Sequence, residues 1–320
     1  MQTLMDLFGE RFWPNPSMRD LTTVRIGGPA PALVIARTQE ELTTAIRITR
    51  EEGIRFLLLG GGSNLLVADE GLDLLVVKNE VSALRREGNT VWVSGGTVLQ
   101  DLVGFTLRSG LAGLQKLTGI PGTVGGAIYG NAGAYGQTIS DHLQEVLCFD
   151  GRQIVSYSKP DCRFSYRWSA FKENRCVVLE ARLELEPGDA QALVSEAESV
   201  LRQRLLKYPA GLKCSGSFFK NVLADQVARE SLELIPPDKV IYGKIPAGYL
   251  LEQTGAKDRT LGDIWVSTAS ANLFVNRGNG RAADLLQLAA DCASRVKDRY
   301  GIQLQPEVQI INLPSPFVSR

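Results

Sequence analysis

A chain of mixed α and β structure, parallel at its start and more antiparallel in its middle, is the fold class that three features of the sequence predict. A strand pattern, a helical pattern and a second apolar run follow one another between residues 31 and 59. Alternating segments such as "CVVLEARLEL" mark the region from about residue 140 to 186, with the two-residue period of half-buried strands. At 320 residues the chain also exceeds what one core usually holds, about 250, so two or three compact units are expected.

Each element follows from its own residues. "PALVIAR" (31 to 37) reads as a strand. "TQEELTTAIRITREEG" reads as a helix, because Leu42, Ala45, Ile46 and Thr49 recur at helical spacing and Gly53 follows as a stop. "IRFLLLG" reads as a buried parallel strand that delivers Gly60, Gly61 and Gly62 to its C-terminal end, where open sheets place ligands. "LDLLVVKN" and "TVWVSGG" are further strands, and "VLQDLVGFTLRSG" is a helix ended by Gly110. "DAQALVSEAESVLRQRLLKYP" (189 to 209) is an amphipathic helix with Leu193, Ala197, Val200, Leu201 and Leu205 on one side, closed by Tyr208 and Pro209; a domain boundary is placed there. Beyond it come a helix around 247 to 255, strands near 264 to 276, a helix from about 281 to 300, and the extended "IQLQPEVQIINL".

Composition excludes several classes. Thirty-five basic and 35 acidic residues cancel, and no run of five like charges occurs, so no broad basic face for nucleic acid or anionic lipid is expected. Five cysteines without a CxxC pair, and His142 as the single histidine, argue against a disulfide framework and a metal site. A reduced, cytoplasmic setting is the expectation, with no secretion signal and no membrane span.

The glycines carry the chemistry. "LGGGSNLLV" lacks the GxGxxG of a dinucleotide fingerprint and the closing Gly-Lys-Ser/Thr of a P-loop. Its glycines can still bare successive backbone N–H groups toward an anion, with Ser63 and Asn64 alongside; a tight turn between strands remains the alternative. The tract from residue 118 to 138 holds seven more glycines, stiffened by Pro121 and accompanied by Thr123, Asn131 and Tyr135. That composition lets backbone lie against a flat ring and a diphosphate.

In order along the chain, "RIGGPA", "LGGGSNLLV", "GIPGTVGGAIYGNAGAYG", "YRWSAFK", "GSFFKN", "IPAGYLLEQTGAK", "ANLFVN" and "PEV" resemble the motifs of UDP-N-acetylenolpyruvoylglucosamine reductases, the FAD enzymes of peptidoglycan precursor synthesis for the cell wall. The resemblance runs from about residue 19 to 311 and fits the shorter, type II form. It implies an α+β fold: a two-lobed, vanillyl-alcohol-oxidase-type FAD-binding domain followed by a smaller α/β substrate-binding domain. The implied parts are residues 1–80 joined by 304–320 as the first lobe, 81–207 as the second, and 208–303 as the substrate domain. FAD, bound without a covalent link, is implied to contact Gly60, Gly61, Gly62, Ser63, Asn64 and Leu65 in the first tract. In the second, Gly119, Ile120, Pro121, Gly122, Thr123, Gly125, Gly126 and Ala127 are implied, with Asn131, Gly133, Ala134 and Tyr135 further along.

The family reaction is implied to run in two halves: NADPH reduces FAD, and the flavin N5 then gives hydride to C3 of UDP-N-acetylglucosamine enolpyruvate. The enolate of a carboxylate that results needs a cation and an acid placed for C2. Arg167 in "SYRWSAFK" matches the cation, and its fork of donors suits a carboxylate as Lys172 could not; taken alone, an arginine there reads as a surface ion pair. Ser217 matches the serine that protonates C2, with Gly216 allowing close approach, Ser215 kept as a substitute, and a turn or cap as the plainer role. Glu307 matches the glutamate that assists, against a solvated strand residue as the alternative. Tyr166, Lys220, Asn221 and Gln253 match substrate contacts. The implied partners are small molecules only, with a monomeric chain.

Three departures from the family stand out: Val222 where proline is common, Ser270 where histidine is frequent, and a long stretch from 223 to 243 that reads as a surface insertion rather than a flap over the site. Two rivals remain at this stage. A flavin oxidase of sugars, lactones or 2-hydroxy acids is disfavoured because His142, the only histidine for tethering a flavin, lies outside the glycine loops. A regulatory protein that keeps the pocket without turnover is separated from an enzyme by assay.

Overall fold

The computed structural model describes residues 1–317. The chain divides into two compact units, one built from Met1–Pro16, Ala30–Gly61 and Asp73–Leu205, the other from Ser17–Pro29, Gly62–Leu72 and the segment that starts at Leu206.

Beside two short two-stranded ladders, two larger sheets build the first unit. In the smaller, the strand order is Phe12–Pro14, Ala32–Ala36, Leu75–Asn79, Phe56–Leu59. The last three run parallel and the first is antiparallel. A parallel pair needs a crossover, and the Gln39–Glu51 helix supplies it. That helix starts where its sequence says it should. Thr38 Oγ1 accepts the Glu41 N–H at 3.1 Å, and the Glu41 carboxylate accepts the N–H groups of Thr38 and Arg37 in return. Arg11 donates to the same carboxylate at 2.5 Å, and this hydrogen bond pulls the Glu41 carboxyl down to about 2. Leu42, Ala45 and Ile46 pack with Val34, Val77 and Phe149 in one core. The Phe56–Leu59 strand is parallel as expected, but it lies at the sheet's edge and only Leu59 is fully buried.

The larger sheet has five antiparallel strands in the order Ile154–Ser158, Leu143–Phe149, Val177–Glu184, Thr90–Ser94, Leu84–Glu87. The Leu99–Arg108 and Val124–Tyr129 helices bury Leu102, Val103, Val124 and Ile128 against Val91, Val146 and Ala181. Each such side chain contributes roughly 2 kcal/mol of apolar burial. The Ala190–Lys207 helix buries Leu193, Ala197 and Val200, whereas Leu201 and Leu205 are 37% and 45% exposed. Its apolar stripe is wider than the face that the unit covers.

The second unit is assembled from three stretches of chain. Its antiparallel sheet has the order Thr260–Leu261, Ile264–Val266, Phe274–Asn276, and the helices Ala247–Gln253 and Ala282–Tyr300 share its core. Leu65–Val67 pairs in parallel with Gln309–Ile311, which ties the 62–72 stretch to the chain's last strand. Asp69 of that stretch accepts the N–H groups of Ala282 and Ala283, at 2.9 and 3.3 Å, and so satisfies the first turn of the long helix. The rings of Phe218, Phe219 and Phe274 meet edge-on or tilted, with centroids 4.9 to 6.2 Å apart.

The 223–243 stretch is closed at its neck by a ladder between Val222–Leu223 and Lys244–Ile245. Leu234, Ile241 and Tyr242 stand exposed, but Ile235 is 4% exposed and belongs to the unit's core. The insertion is therefore anchored rather than merely laid on the surface. Among the described residues, no helix is long and apolar enough to cross a membrane, and no group of three or more His, Cys, Asp or Glu side chains could hold a metal.

Candidate functional site

In the first unit the two glycine tracts meet. A Cβ on Gly61 would lie 2.9 Å from the Gly122 Cα, and one on Gly60 would lie 2.4 Å from Thr123 Oγ1. Backbone is thus packed on backbone at a distance that side chains would forbid. Thr123 begins the Val124–Tyr129 helix, its hydroxyl accepting the Gly126 N–H, and that helix carries Gly125, Gly126 and Ala127. Gly119 and Ile120 are half-buried ahead of it, and Pro121 is exposed.

Further along the second tract the backbone is strained without glycine. Asn131 and Tyr135 adopt φ of 43° and 51°, on either side of Gly133 and Ala134 in a short ladder with Gln137–Thr138. Arg167 adopts φ of 54°. The reason is local: Ser165 and Trp168 exchange two main-chain hydrogen bonds of 3.2 Å, leaving Tyr166 and Arg167 as the two central residues of a tight turn. The second central position of such a turn usually takes glycine or asparagine when φ is positive. Three contacts hold the turn against that cost. Asn131 Nδ2 donates to the Ser165 carbonyl at 2.9 Å, Lys172 Nζ donates to the Arg167 carbonyl at 2.9 Å, and the Arg167 guanidinium donates to the carbonyls of Gly133 and Asn131 at 2.9 and 3.4 Å. Asn131, Gly133, Tyr166 and Arg167 are brought together here. Strain that the surroundings maintain in this way collects at functional sites.

A flat, polar-edged cofactor fits what the first unit offers. Asn131 is 5% exposed, yet its Oδ1 has no donor, so the tract holds a buried acceptor that the protein itself does not satisfy. Where the tracts approach, Gly60, Gly61 and Gly122 add backbone that carries no side chain of its own. Burial pushes the nearby Tyr129 phenol above its ordinary range, and Lys172 Nζ lies 5.4 Å from that ring.

The second unit gathers the other candidates. Gly62 has φ of 62° and faces the Leu21 carbonyl so closely that a Cβ would lie 2.0 Å from it. Ser63 is half-buried beside it. Asn64 Nδ2 donates to the Glu307 carbonyl at 3.1 Å, and the Asn64 carbonyl accepts the Gln309 N–H at 3.0 Å, just before Leu65 enters its strand. Glu307 N–H donates to the Phe218 carbonyl at 2.7 Å, and Lys220 N–H donates to the Gln305 carbonyl at 2.9 Å. Asn64, the Ser217–Lys220 segment and Glu307 therefore form one neighbourhood, although they come from three distant parts of the chain.

Ser217 is half-buried with its hydroxyl 2.9 Å from the Tyr208 hydroxyl, whereas Ser215 is 4% exposed. The fixing group behind Ser217 is Asn272, whose side chain accepts the Phe219 N–H at 2.9 Å and donates to the Phe219 carbonyl at 2.8 Å. Asn272 and Tyr208 were not singled out from the sequence. "ANLFVN" marked the first only as part of a motif, and nothing in the spacing relates Tyr208 to Ser217. Asn221 Oδ1 accepts the Ala247 N–H at the start of the Ala247–Gln253 helix. Gln253 is exposed at that helix's other end, beside Arg295, Asp298 and Arg299, and its carbonyl accepts from Arg299.

Comparison with known proteins identifies both parts of the chain. Residues 30–153 match the model of an FAD binding domain, and residues 208–311 match that of the UDP-N-acetylenolpyruvoylglucosamine reductase C-terminal domain. A UDP-N-acetylenolpyruvoylglucosamine reductase of Solibacter usitatus is 40% identical over 91% of this chain and 93% of its own length. One of Desulfosudis oleivorans is 37% identical over 97% of each. The crystal structure of a UDP-N-acetylenolpyruvylglucosamine reductase from Thermus caldophilus superposes with a TM-score of 0.74 at 32% identity, covering 93% of this chain and 98% of that one. The α+β fold with an FAD-binding domain followed by a smaller domain is thereby established, and FAD is the cofactor. The chain belongs to the UDP-N-acetylenolpyruvoylglucosamine reductase family and is an FAD-dependent oxidoreductase.

Proposed function

We propose that the protein reduces UDP-N-acetylglucosamine enolpyruvate to UDP-N-acetylmuramate with NADPH, in the synthesis of peptidoglycan precursors. What supports it most is the 40% identity over 91% of the chain to a reductase of that name, together with the strained, tethered turn that carries Arg167. The chemistry FAD supplies when bound is hydride transfer from NADPH to C3 of the enolpyruvyl ether. The backbone of Gly60, Gly61 and Gly62 with Ser63, Asn64 and Leu65, and that of Gly119 to Ala127, would hold it. Asn131, Gly133, Ala134 and Tyr135 would complete that set, Asn131 with a buried acceptor that the protein leaves unsatisfied.

The protein's own side chains then handle charge and protons. Arg167 meets the carboxylate of the substrate, whose negative charge grows as C3 gains hydride, and its direction is already set by the Gly133 and Asn131 carbonyls. Ser217 gives its hydroxyl proton to C2, and its half-exposed position suits that role better than the buried Ser215. Glu307 assists the enolate as an acid or through water. Tyr166, Lys220, Asn221 and Gln253 orient the substrate, which falls to the 208–303 domain. The 1–80 segment, joined by 304–320, and the 81–207 segment are proposed as the two lobes for the cofactor, with Tyr166, Arg167 and Glu307 turned to the substrate. Ser17–Pro29, Gly62–Leu72 and the residues after 303 nevertheless group with the 206–303 segment in the second compact unit. The chain works in the cytoplasm as a monomer, the latter checked by its mass in solution.

Anaerobic half-reactions test the reading. Bound yellow flavin should bleach with NADPH and recolour when UDP-N-acetylglucosamine enolpyruvate is added without oxygen. Protein correctly loaded with FAD that bleaches and never recolours with this substrate would defeat it.

A further inference from the structure

We propose that Tyr208 is a positioning residue that orients the Ser217 hydroxyl and returns a proton to it; the proposal rests on the assignment of Ser217 above. A serine that gives up its proton is left as an alkoxide, and an alcohol is far too weak an acid to remain so beside a newly protonated carbon. A neighbouring O–H that is a stronger acid would solve the difficulty. A phenol is a far stronger acid than an aliphatic alcohol, so the proton passes downhill from it to the alkoxide.

The two hydroxyl oxygens lie 2.9 Å apart, and either can donate. Both sides of that contact are held. Tyr208 follows the end of the Ala190–Lys207 helix, and its ring packs against the cluster of Cys214, Leu273 and Val275. On the other side, Gly216 takes φ of 79°, and beyond it Ser217 is half-buried whereas Ser215 is 4% exposed. Beyond Ser217 the main chain is pinned by three hydrogen bonds of 2.8 to 2.9 Å between Asn272 and residues Phe218 and Phe219. Nine residues of sequence separate the hydroxyls, yet neither can drift without disturbing a packed ring or a doubly bonded amide.

The step balances. The Ser217 O–H bond breaks as the C2–H bond forms, a new Ser217 O–H bond forms as the Tyr208 O–H breaks, and the phenolate takes a proton from water. No electrons move in this relay, since the reduction is completed by hydride at C3.

The test uses the full-length FAD-loaded protein as wild type, Tyr208→Phe, Ser217→Ala and the double variant. Flavin reduction by NADPH should agree among all four within about twofold. Reoxidation by the enolpyruvyl substrate should slow roughly 10- to 100-fold in Tyr208→Phe with substrate Kd unchanged, and the double variant should be no slower than Ser217→Ala. In mixtures of light and heavy water, the wild-type reoxidation rate should respond as two protons in flight and the Tyr208→Phe rate as one. Independently of turnover, protein labelled with carbon-13 at tyrosine Cζ should show one line missing in Tyr208→Phe, and Ser217→Ala should move that same line. If Ser217→Ala reoxidises at the wild-type rate, the assignment of Ser217 itself falls. If Ser217→Ala is slow while Tyr208→Phe keeps the wild-type rate and two-proton response, or if the Tyr208 line ignores Ser217→Ala, the relay is overturned and the assignment of Ser217 stands.

Discussion

The neighbourhoods of Arg167 and Ser217 solve opposite problems. At Arg167 the left-handed backbone falls on arginine itself, and on Asn131 and Tyr135 in the adjoining tract, none of which is glycine. At Ser217 the left-handed residue is Gly216, and the serine is left in ordinary backbone. Each non-glycine residue in that region costs about 1 kcal/mol or more, which persists only where the surroundings over-determine the turn. Here the Lys172 and Asn131 side chains and the guanidinium's own bonds do so. The difference teaches that a planar cation must be aimed, and rigidity for aiming is obtained by strain. A hydroxyl rotor needs only proximity and a partner, so the strain can be left to glycine.

Substitutions should separate the two designs. The largest effect is expected from Ser217→Ala, which should leave flavin reduction by NADPH nearly intact and slow reoxidation by the enolpyruvyl substrate roughly 100- to 10,000-fold, read by anaerobic stopped flow. Equal loss in both halves would refute a proton-donor role. Arg167→Lys should follow, with reoxidation down about 100-fold, because a single ammonium cannot reproduce the fork of donors. The same variant should also cost about 1 kcal/mol of stability, because the turn loses the guanidinium's bonds to the Gly133 and Asn131 carbonyls; no change in unfolding would show that the Lys172 and Asn131 side chains alone hold the turn.

Gly216→Ala should come next, at about 1 kcal/mol in denaturant unfolding. Nothing lies within 4 Å of the added Cβ, so only the backbone penalty remains. A loss of several kcal/mol would mean that the Ser217 segment is as over-determined as the Arg167 turn, and the contrast would fail. The smallest effect is a control outside both neighbourhoods. Glu41 is held at about 2, below the ordinary 4.5, by the Arg11 hydrogen bond and main-chain N–H groups. Its contribution is therefore complete above pH 4.5 and is lost as pH falls toward 2. With a quarter of the side chain exposed, water screens the pair, so a loss of about 1 kcal/mol is expected. Arg11→Met should remove most of that acid dependence in equilibrium unfolding.

Much of this was legible in the residues. The Gln39–Glu51 helix was readable because its cap and its apolar period are both local, and Thr38 and Glu41 satisfy each other three positions apart. The antiparallel middle was readable from alternation alone. The glycine tracts were legible as places where backbone must come close, and Gly60–Gly61 against Gly122–Thr123 is where they meet. Other features were not legible. Leu201 and Leu205 share the apolar stripe of Leu193 and Ala197 but remain exposed, because periodicity reports which face could be buried and not how much surface arrives to cover it. The hydroxyl pair of Tyr208 and Ser217 left no mark either, since a tyrosine closing a helix and a serine after glycine each have ordinary explanations.

By itself the sequence determined the elements with local causes, the family, and the residue types available for holding a cofactor, meeting an anion and giving a proton. Tertiary structure alone decided that the chain leaves one unit between Gly61 and Gly62, that Asp69 caps a helix beginning more than 200 residues later, and that Asn64, Phe218 and Glu307 share hydrogen bonds. The reason is physical. Caps, turns and periods are settled within a few residues by sterics and hydrogen bonding, whereas these pairings exist only after buried apolar surface has closed loops of hundreds of residues, and no short-range pattern records which loops will close.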